Sequence, residues 1–155
     1  MPNSHDPALH LLPAPVAVIG CARDGVTAGL TCAWLCRVST DPARLLVAVA
    51  PERHTWGVLE GAARFSVSIL RDDQVEVGRL FGLRSGREVD KWAAVEHVRL
   101  ADGTPALARC AARLLCRLVS RAPLGDHDGF LGEVEWSEVV DGPPALPMRG
   151  RDWAP

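Results

Sequence analysis

Lysine is almost missing from this chain: of its 17 basic residues, only Lys91 is a lysine. Charge of either sign is not in excess, since 19 acidic residues leave a formal net charge of -2. That excludes the broad basic surface on which a nucleic acid or an anionic membrane is held, although a single small phosphate needs only a few local donors. Long apolar runs are lacking as well, and nothing approaches the roughly 18 residues of a membrane-spanning helix. The first twelve residues, with Pro2, His5, Asp6 and Pro7, have neither the basic stretch nor the apolar stretch of a secretory leader, so a cytoplasmic protein is expected. Cys21, Cys32, Cys36, Cys110 and Cys116 are odd in number and set among apolar residues, which favours reduced thiols over a disulfide framework. There is no CxxC and no Cys/His zinc spacing, so no metal centre is expected. GxSxG, HExxH, the P-loop and GxGxxG are all absent, which removes the residues of the common hydrolase, zinc, nucleotide-triphosphate and Rossmann chemistries.

What is present is an ordinary globular composition: 155 residues, 48% hydrophobic and 23% charged. A chain of that size supports one core without disulfides, read here as an arm over 1–12 followed by a single domain over 13–155. Residues 15–20 are apolar and β-branched and stop at Arg23-Asp24-Gly25, so a strand and a hairpin turn are predicted. Near-alternation over 28–38 predicts a second, long strand, and 45–50 a third, with the turn Ser39-Thr40-Asp41-Pro42 between them. A short helix over 56–60 stops at Gly61, and 65–70 alternates as a fourth strand. Val75, Val77, Leu80 and Phe81 suit a helix within 72–92, interrupted at Ser85-Gly86-Arg87. Apolar segments at 97–100, 106–119 and 129–140 complete the chain. Short strands joined by tight turns, with few and short helices, indicate a mainly β barrel or sandwich. Arg109, Arg113, Arg117 and Arg121 recur every four residues, which suits one face of a helix and one face of a strand equally.

Two local features carry chemistry. Arg53-His54-Thr55 follows an apolar strand and opens a short helix, with Thr55 able to cap it. Free amides, helix dipole and guanidinium converge there as they would on a phosphate, or as an ordinary capped helix start beside a solvated arginine. In Gly125-Asp126-His127 a histidine stands in a turn ahead of an apolar strand. That places it either as a surface hydrogen-bonding residue or beside a redox cofactor whose reduced form is anionic.

Seven segments in order resemble the flavin reductase-like family of FMN-binding split barrels, over about residues 13–151. Leu30-Thr31-Cys32-Ala33-Trp34-Leu35-Cys36-Arg37-Val38-Ser39 is similar to the family's M-T-A-S-W-x-T-x-V-S strand, and Asp41-Pro42 to its D/E-P-P turn. Arg53-His54-Thr55 is similar to its basic-plus-Thr helix start, and Phe65-Ser66-Val67-Ser68-Ile69-Leu70 to F-x-V-N-V-L. Ser85-Gly86-Arg87-Glu88-Val89-Asp90-Lys91-Trp92 resembles S-G-R-x-V-D-K-F, and Gly125-Asp126-His127 with Gly132-Glu133-Val134 resembles G-D-H-x(4)-G-E-V. Arg149-Gly150-Arg151 is similar to the terminal R-G-R.

The resemblance implies a split β-barrel homodimer in which the arginine-rich segment is a strand. It implies hydride transfer from NADH or NADPH to FMN, with FAD as an alternative, for delivery to a flavin-dependent monooxygenase or another redox partner. A flavoredoxin-like electron carrier, reduced by a protein rather than a nicotinamide, is the other activity it allows. A barrel that has lost its flavin also stays open, with the cysteines of the second strand as its hint. By the same resemblance Arg53, His54 and Thr55 hold the FMN phosphate, with Ser85 and Lys91 near it. Leu30, Thr31, Cys32, Ala33, Trp34 and Cys36 line the ribityl chain and ring edge, and His127 faces the nicotinamide. Cys32, Ala33 and Cys36 replace hydroxyl-bearing or small residues of the family pattern, which shifts flavin contacts from side chains to backbone. Leu30 replaces methionine at similar volume.

Overall fold

The computed structural model describes residues 6–153, without the surroundings of the side chains at 150 and 151. The resemblance's terminal Arg151 side chain therefore lies outside the described residues, as does the start of the arm, 1–5. The strands are β1 (Ala17–Arg23), β2 (Val26–Cys32), β3 (Leu35–Thr40), β4 (Ala43–Val49), β5 (Arg64–Ile69), β6 (His97–Arg99), β7 (Pro105–Leu107), β8 (Ala112–Pro123) and β9 (Asp128–Val139). The helices α1 (His54–Leu59) and α2 (Val75–Leu83) interrupt them.

Seven strands form one sheet in the order β2-β1-β5-β8-β9-β4-β3, with every pairing antiparallel. The outermost strands, β2 and β3, are consecutive in the chain and joined by Ala33-Trp34 alone, yet they do not pair. The sheet curls without closing, which makes it the expected split barrel, with its seam at residues 33–34.

The long strand predicted over 28–38 is thereby corrected to two. One continuous strand cannot pair with both β1 and β4, so the chain changes partner at Trp34. The Trp34 carbonyl accepts the Ala48 amide at 2.9 Å and the Cys32 thiol at 3.4 Å, which fixes the corner. The predicted segment 106–119 likewise divides into β7 and β8. At the break the Ala108 amide bonds to Glu96 and the Ala111 amide to Ile69.

β1 is buried on both faces, which explains its unbroken apolar run. Ala17, Ile19 and Cys21 enter the barrel with Val47, Phe65, Val67 and Phe130. Val16 and Val18 enter an outer layer with Leu70, Phe81, Trp92 and Leu107. The arginine-rich segment is β8, as the resemblance implies, because β5 and β9 take its backbone bonds on either side. Its Leu114, Cys116 and Leu118 pack on the barrel core, while Arg113 pairs with Glu138, Arg117 with Glu133 and Arg121 with Asp128. Arg109 precedes the strand and pairs with Asp141.

On β5, Ser66 and Ser68 are fully buried and pin the β6–β7 hairpin to the barrel. Ser66 Oγ donates to the Pro105 carbonyl at 2.6 Å, and Ser68 Oγ accepts the Leu107 amide at 3.1 Å. Ser68→Ala strands that buried amide, so a loss of about 1–3 kcal/mol is expected in chemical denaturation; an unchanged midpoint contradicts it.

Among the described residues no helix is long and apolar enough to cross a membrane.

Candidate functional site

The seam opens into a cavity of about 630 Å³. Its floor is the end of β2, the end of β4 and the corner between β2 and β3, with Leu30, Cys32, Ala33, Val49 and Ala50. One wall is the start of α1, the other the end of α2 and the segment after it. Trp34 and His127 stand at the mouth. Of the twelve residues named above as candidates, all line this cavity except Cys36. That residue is exposed on β3, opposite Leu46 of β4, and the sequence-based placement of its side chain is corrected. Strand alternation does not carry through the corner at Trp34, so β3 starts in a phase that the pattern alone does not show.

One end of the cavity is cationic. Arg53 is exposed, and its guanidinium has no hydrogen-bond partner among the described residues. Its backbone, rather than Thr55, is the N-cap of α1, with φ -71° and ψ 136° and no side-chain bond. Thr55 is therefore already inside the helix and buried, and the first-turn amides of His54 and Thr55 have no preceding helical carbonyl to bond. The His54 Nδ1 atom is buried without a partner. Burial first, then the charges of Arg87 and Lys91, hold the His54 imidazole below its ordinary range. Gly86 is required beside it, since a Cβ there would lie 2.7 Å from His54 Nδ1.

Lys91 is 6% exposed. Its ammonium donates to the Phe81 carbonyl at 3.0 Å and the Arg84 carbonyl at 3.1 Å, closing the end of α2 where helical carbonyls lack partners. Two of its three protons are thus committed to the fold and one remains. Burial, and secondarily Arg53, push it down to about 8. Ser85 Oγ accepts the Arg87 amide at 3.2 Å, and Arg87 donates to the Glu52 carbonyl at 3.2 Å, bridging the two walls.

The other end is apolar and aromatic. Thr31 lines the cavity, but its hydroxyl donates to the Gly78 carbonyl of α2 at 2.6 Å. The Cys32 thiol is 4% exposed and donates to Trp34 and Ala48 carbonyls; burial pushes it up to about 11, which makes it inert as a thiolate. Both side chains therefore hold the seam, and the backbone at 32–34 is what they leave for a ligand. Trp34 is 63% exposed and leans on the His127 ring, centroids 4.6 Å apart at 54°. His127 Nδ1 lies 2.8 Å from Asp126 Oδ1, which holds the Asp126 carboxyl below its ordinary value.

Residues 9–151 match the flavin reductase like domain. The chain belongs to that family. It is 35% identical over 141 residues to the actinorhodin polyketide dimerase of Streptomyces coelicolor, spanning 90% of this chain and 78% of that protein. It is 29% identical over 137 residues to HsaB of Rhodococcus jostii, the reductase subunit of a flavin-dependent monooxygenase, across 88% of this chain and 69% of that one. The FMN-binding protein of Thermus thermophilus is similar in structure, with a TM-score of 0.86 and 30% identity over 98% of this chain and 88% of its own. So is the NADH:FAD oxidoreductase SgcE6 of Streptomyces globisporus, known in complex with NAD and FAD fragments, with a TM-score of 0.84 and 26% identity over 92% and 85%.

In this flavin reductase family member the cavity also has walls that sequence reasoning did not select. Arg84 and Arg87 add positive charge, Glu52 and Glu88 interrupt it, and Met148 reaches the apolar part. Arg87 stood inside a quoted segment. Arg84 carries a legible signal too, a basic residue just past a helix end.

Proposed function

We propose that this chain is an NAD(P)H:flavin oxidoreductase that binds FMN, or FAD, across the barrel seam and delivers reduced flavin or electrons to a partner. The observation that carries the reading is the polarity of one continuous cavity. Anion donors gather at one end, in Arg53, the α1 amides, His54 and Lys91, and an apolar floor under an exposed indole forms the other. A phosphate-bearing flavin has that same division, and the orphaned His54 nitrogen and the close Gly86 cradle fit its phosphate end. When bound, the flavin supplies the hydride acceptor for a reduced nicotinamide. The chain's own part is placement: Arg53 and Lys91 neutralise the phosphate, the 32–34 backbone sets the ring edge, and His127 with Trp34 borders the nicotinamide.

Membership of the family and the likeness to a monooxygenase reductase subunit and an NADH:FAD oxidoreductase support the reaction. A flavin-dependent monooxygenase is the proposed partner, and a cytoplasmic homodimer the proposed working form. The domain is read as 13–155, with 1–12 as an arm. The test is the anaerobic visible spectrum of flavin-loaded, desalted protein before and after NADH, then NADPH. Bleaching supports the reductase and names its donor, whereas a retained, unbleached flavin supports an electron carrier reduced by a protein.

His127→Ala is expected to raise the nicotinamide KM and slow flavin reduction while leaving flavin affinity intact. Stopped-flow reduction at the wild-type rate would remove His127 from the nicotinamide side. For Lys91 the sign follows from its lowered value: only the protonated amine assists a phosphate, so FMN affinity falls as pH rises through about 8. The phosphate is already a dianion there, its second pKa being about 6. Stability of the flavin-free chain moves the other way, rising from about 8 toward 10.5, because the unfolded lysine binds more protons over that window. Titrating FMN at several pH values checks this, and Lys91→Met should flatten the affinity profile.

A further inference from the structure

The chain's single lysine, Lys91, lines the seam cavity, and so do Phe81 and Arg84, whose carbonyls its amine holds. A neutral amine has two protons and one lone pair. Two N–H groups match two carbonyls, at 3.0 Å and 3.1 Å, so on deprotonation the lone pair takes the vertex that the third ammonium proton leaves. Burial, and secondarily the charge of Arg53, push the amine down to about 8. A substantial fraction is therefore neutral, and nucleophilic, at a pH where an ordinary lysine is almost wholly protonated.

The charges around that amine select the electrophile. Arg53 and His54 line the same cavity from α1, and Arg84 and Arg87 from the amine's own side, against Glu52 and Glu88; Asp90 is engaged by the Ala93 amide. Three guanidinia against two carboxylates favour a reagent that carries its own anion, which leaves acyl phosphates and phosphorylated aldehydes. The hydrogen bonds choose between them. An imine nitrogen keeps no proton, so condensation with an aldehyde strands both carbonyls, whereas an amide nitrogen keeps one N–H and one of the two bonds.

We propose that Lys91 is an acylation site, at which an acyl phosphate held by the arginines of the cavity transfers its acyl group to the lysine amine. The bond formed joins the lysine nitrogen to the carbonyl carbon, and the bond broken joins that carbon to the bridging phosphate oxygen. The electron pair leaves with the phosphate, which takes up the proton that nitrogen gives up. A neutral amide then stands where a cation stood. Only the consequence rests on the flavin reading of the cavity: the acylated chain is expected to bind FMN about tenfold or more weakly, having lost a charge-assisted donor to the phosphate.

Acetyl phosphate is the probe. Flavin-free protein is treated with graded concentrations of it, with and without inorganic phosphate or FMN, and peptide mass spectrometry separates Lys91 from the terminal amine. Near neutral pH Lys91 is expected to react about tenfold or more faster than the lysine of a blocked model peptide, to saturate, and to be slowed by phosphate and by FMN. Its rate should level off above about 8, where the model lysine still climbs toward 10.5. A rate no faster than the model lysine, or one proportional to acetyl phosphate and indifferent to inorganic phosphate, overturns the proposal. The two readings fail separately. An unreactive Lys91 in a chain that binds FMN removes the acylation and leaves the flavin, whereas saturable acetylation in a chain without FMN affinity supports the acylation and removes the flavin.

Discussion

Arg53→Ala is expected to weaken FMN binding by about 1.5–3 kcal/mol, the range of a charge-assisted hydrogen bond to an anion. The guanidinium is exposed and without a hydrogen-bond partner among the described residues, so its removal breaks no hydrogen bond within the fold, and within the site it relieves only the charge that helps push Lys91 down. Its backbone capping of α1 survives, because that role uses φ and ψ and no side-chain atom. Lysine should recover only part of the loss, since an ammonium cannot present the two parallel donors of a guanidinium. Fluorescence titration of FMN gives the answer, and an unaltered dissociation constant would make Arg53 a solvated residue beside an ordinary helix start.

Asp128→Ala should cost about 2–4 kcal/mol of folding stability, the penalty for stranding a half-buried donor and breaking a part-buried charge pair. Asp128 is 7% exposed. Its Oδ2 accepts the Trp56 indole N–H at 2.9 Å and the Arg121 guanidinium at 2.9 Å, and Arg121 lies over the Trp56 ring at 5.0 Å. The cluster ties α1 to the start of β9, so its loss reaches function. With Trp56 unanchored, Arg53 and His54 lose their placement, and FMN affinity should fall alongside the denaturation midpoint. Asp128→Asn keeps an acceptor for Trp56 and should lie between the two. A midpoint unchanged in the alanine variant refutes the anchoring role.

The elements that were legible are those whose partners do not change along the strand. β5 alternates because one face enters the barrel and the other meets the β6–β7 hairpin, and β1 is uniformly apolar because both its faces are covered. The break at Ala33-Trp34 left no local mark, since the switch from β1 to β4 is made by the distant Ala48 amide. That hidden corner also misplaced Cys36. Thr55 as a cap was one position from the true start, a difference decided by backbone angles at Arg53. Lys91 was drawn to the site by its motif, yet its bonds to the end of α2 run across a loop that no periodicity describes. Arg53 and His54 were legible because the chemistry needs only neighbours in sequence.

The unpaired join between β2 and β3 has a mechanical meaning. Everywhere else the barrel is laced by strand ladders, but among the described residues no ladder crosses this line, where the Ala33-Trp34 link, the Cys32 thiol contacts and the Arg87 to Glu52 bond join the two sides above the shared core. A ligand gripping the α1 side by its phosphate and the α2 side by its ring edge would act as a stitch across that opening. On the proposed reading cofactor and scaffold are then not separable parts: a bound flavin is a clasp across a line that no strand ladder closes.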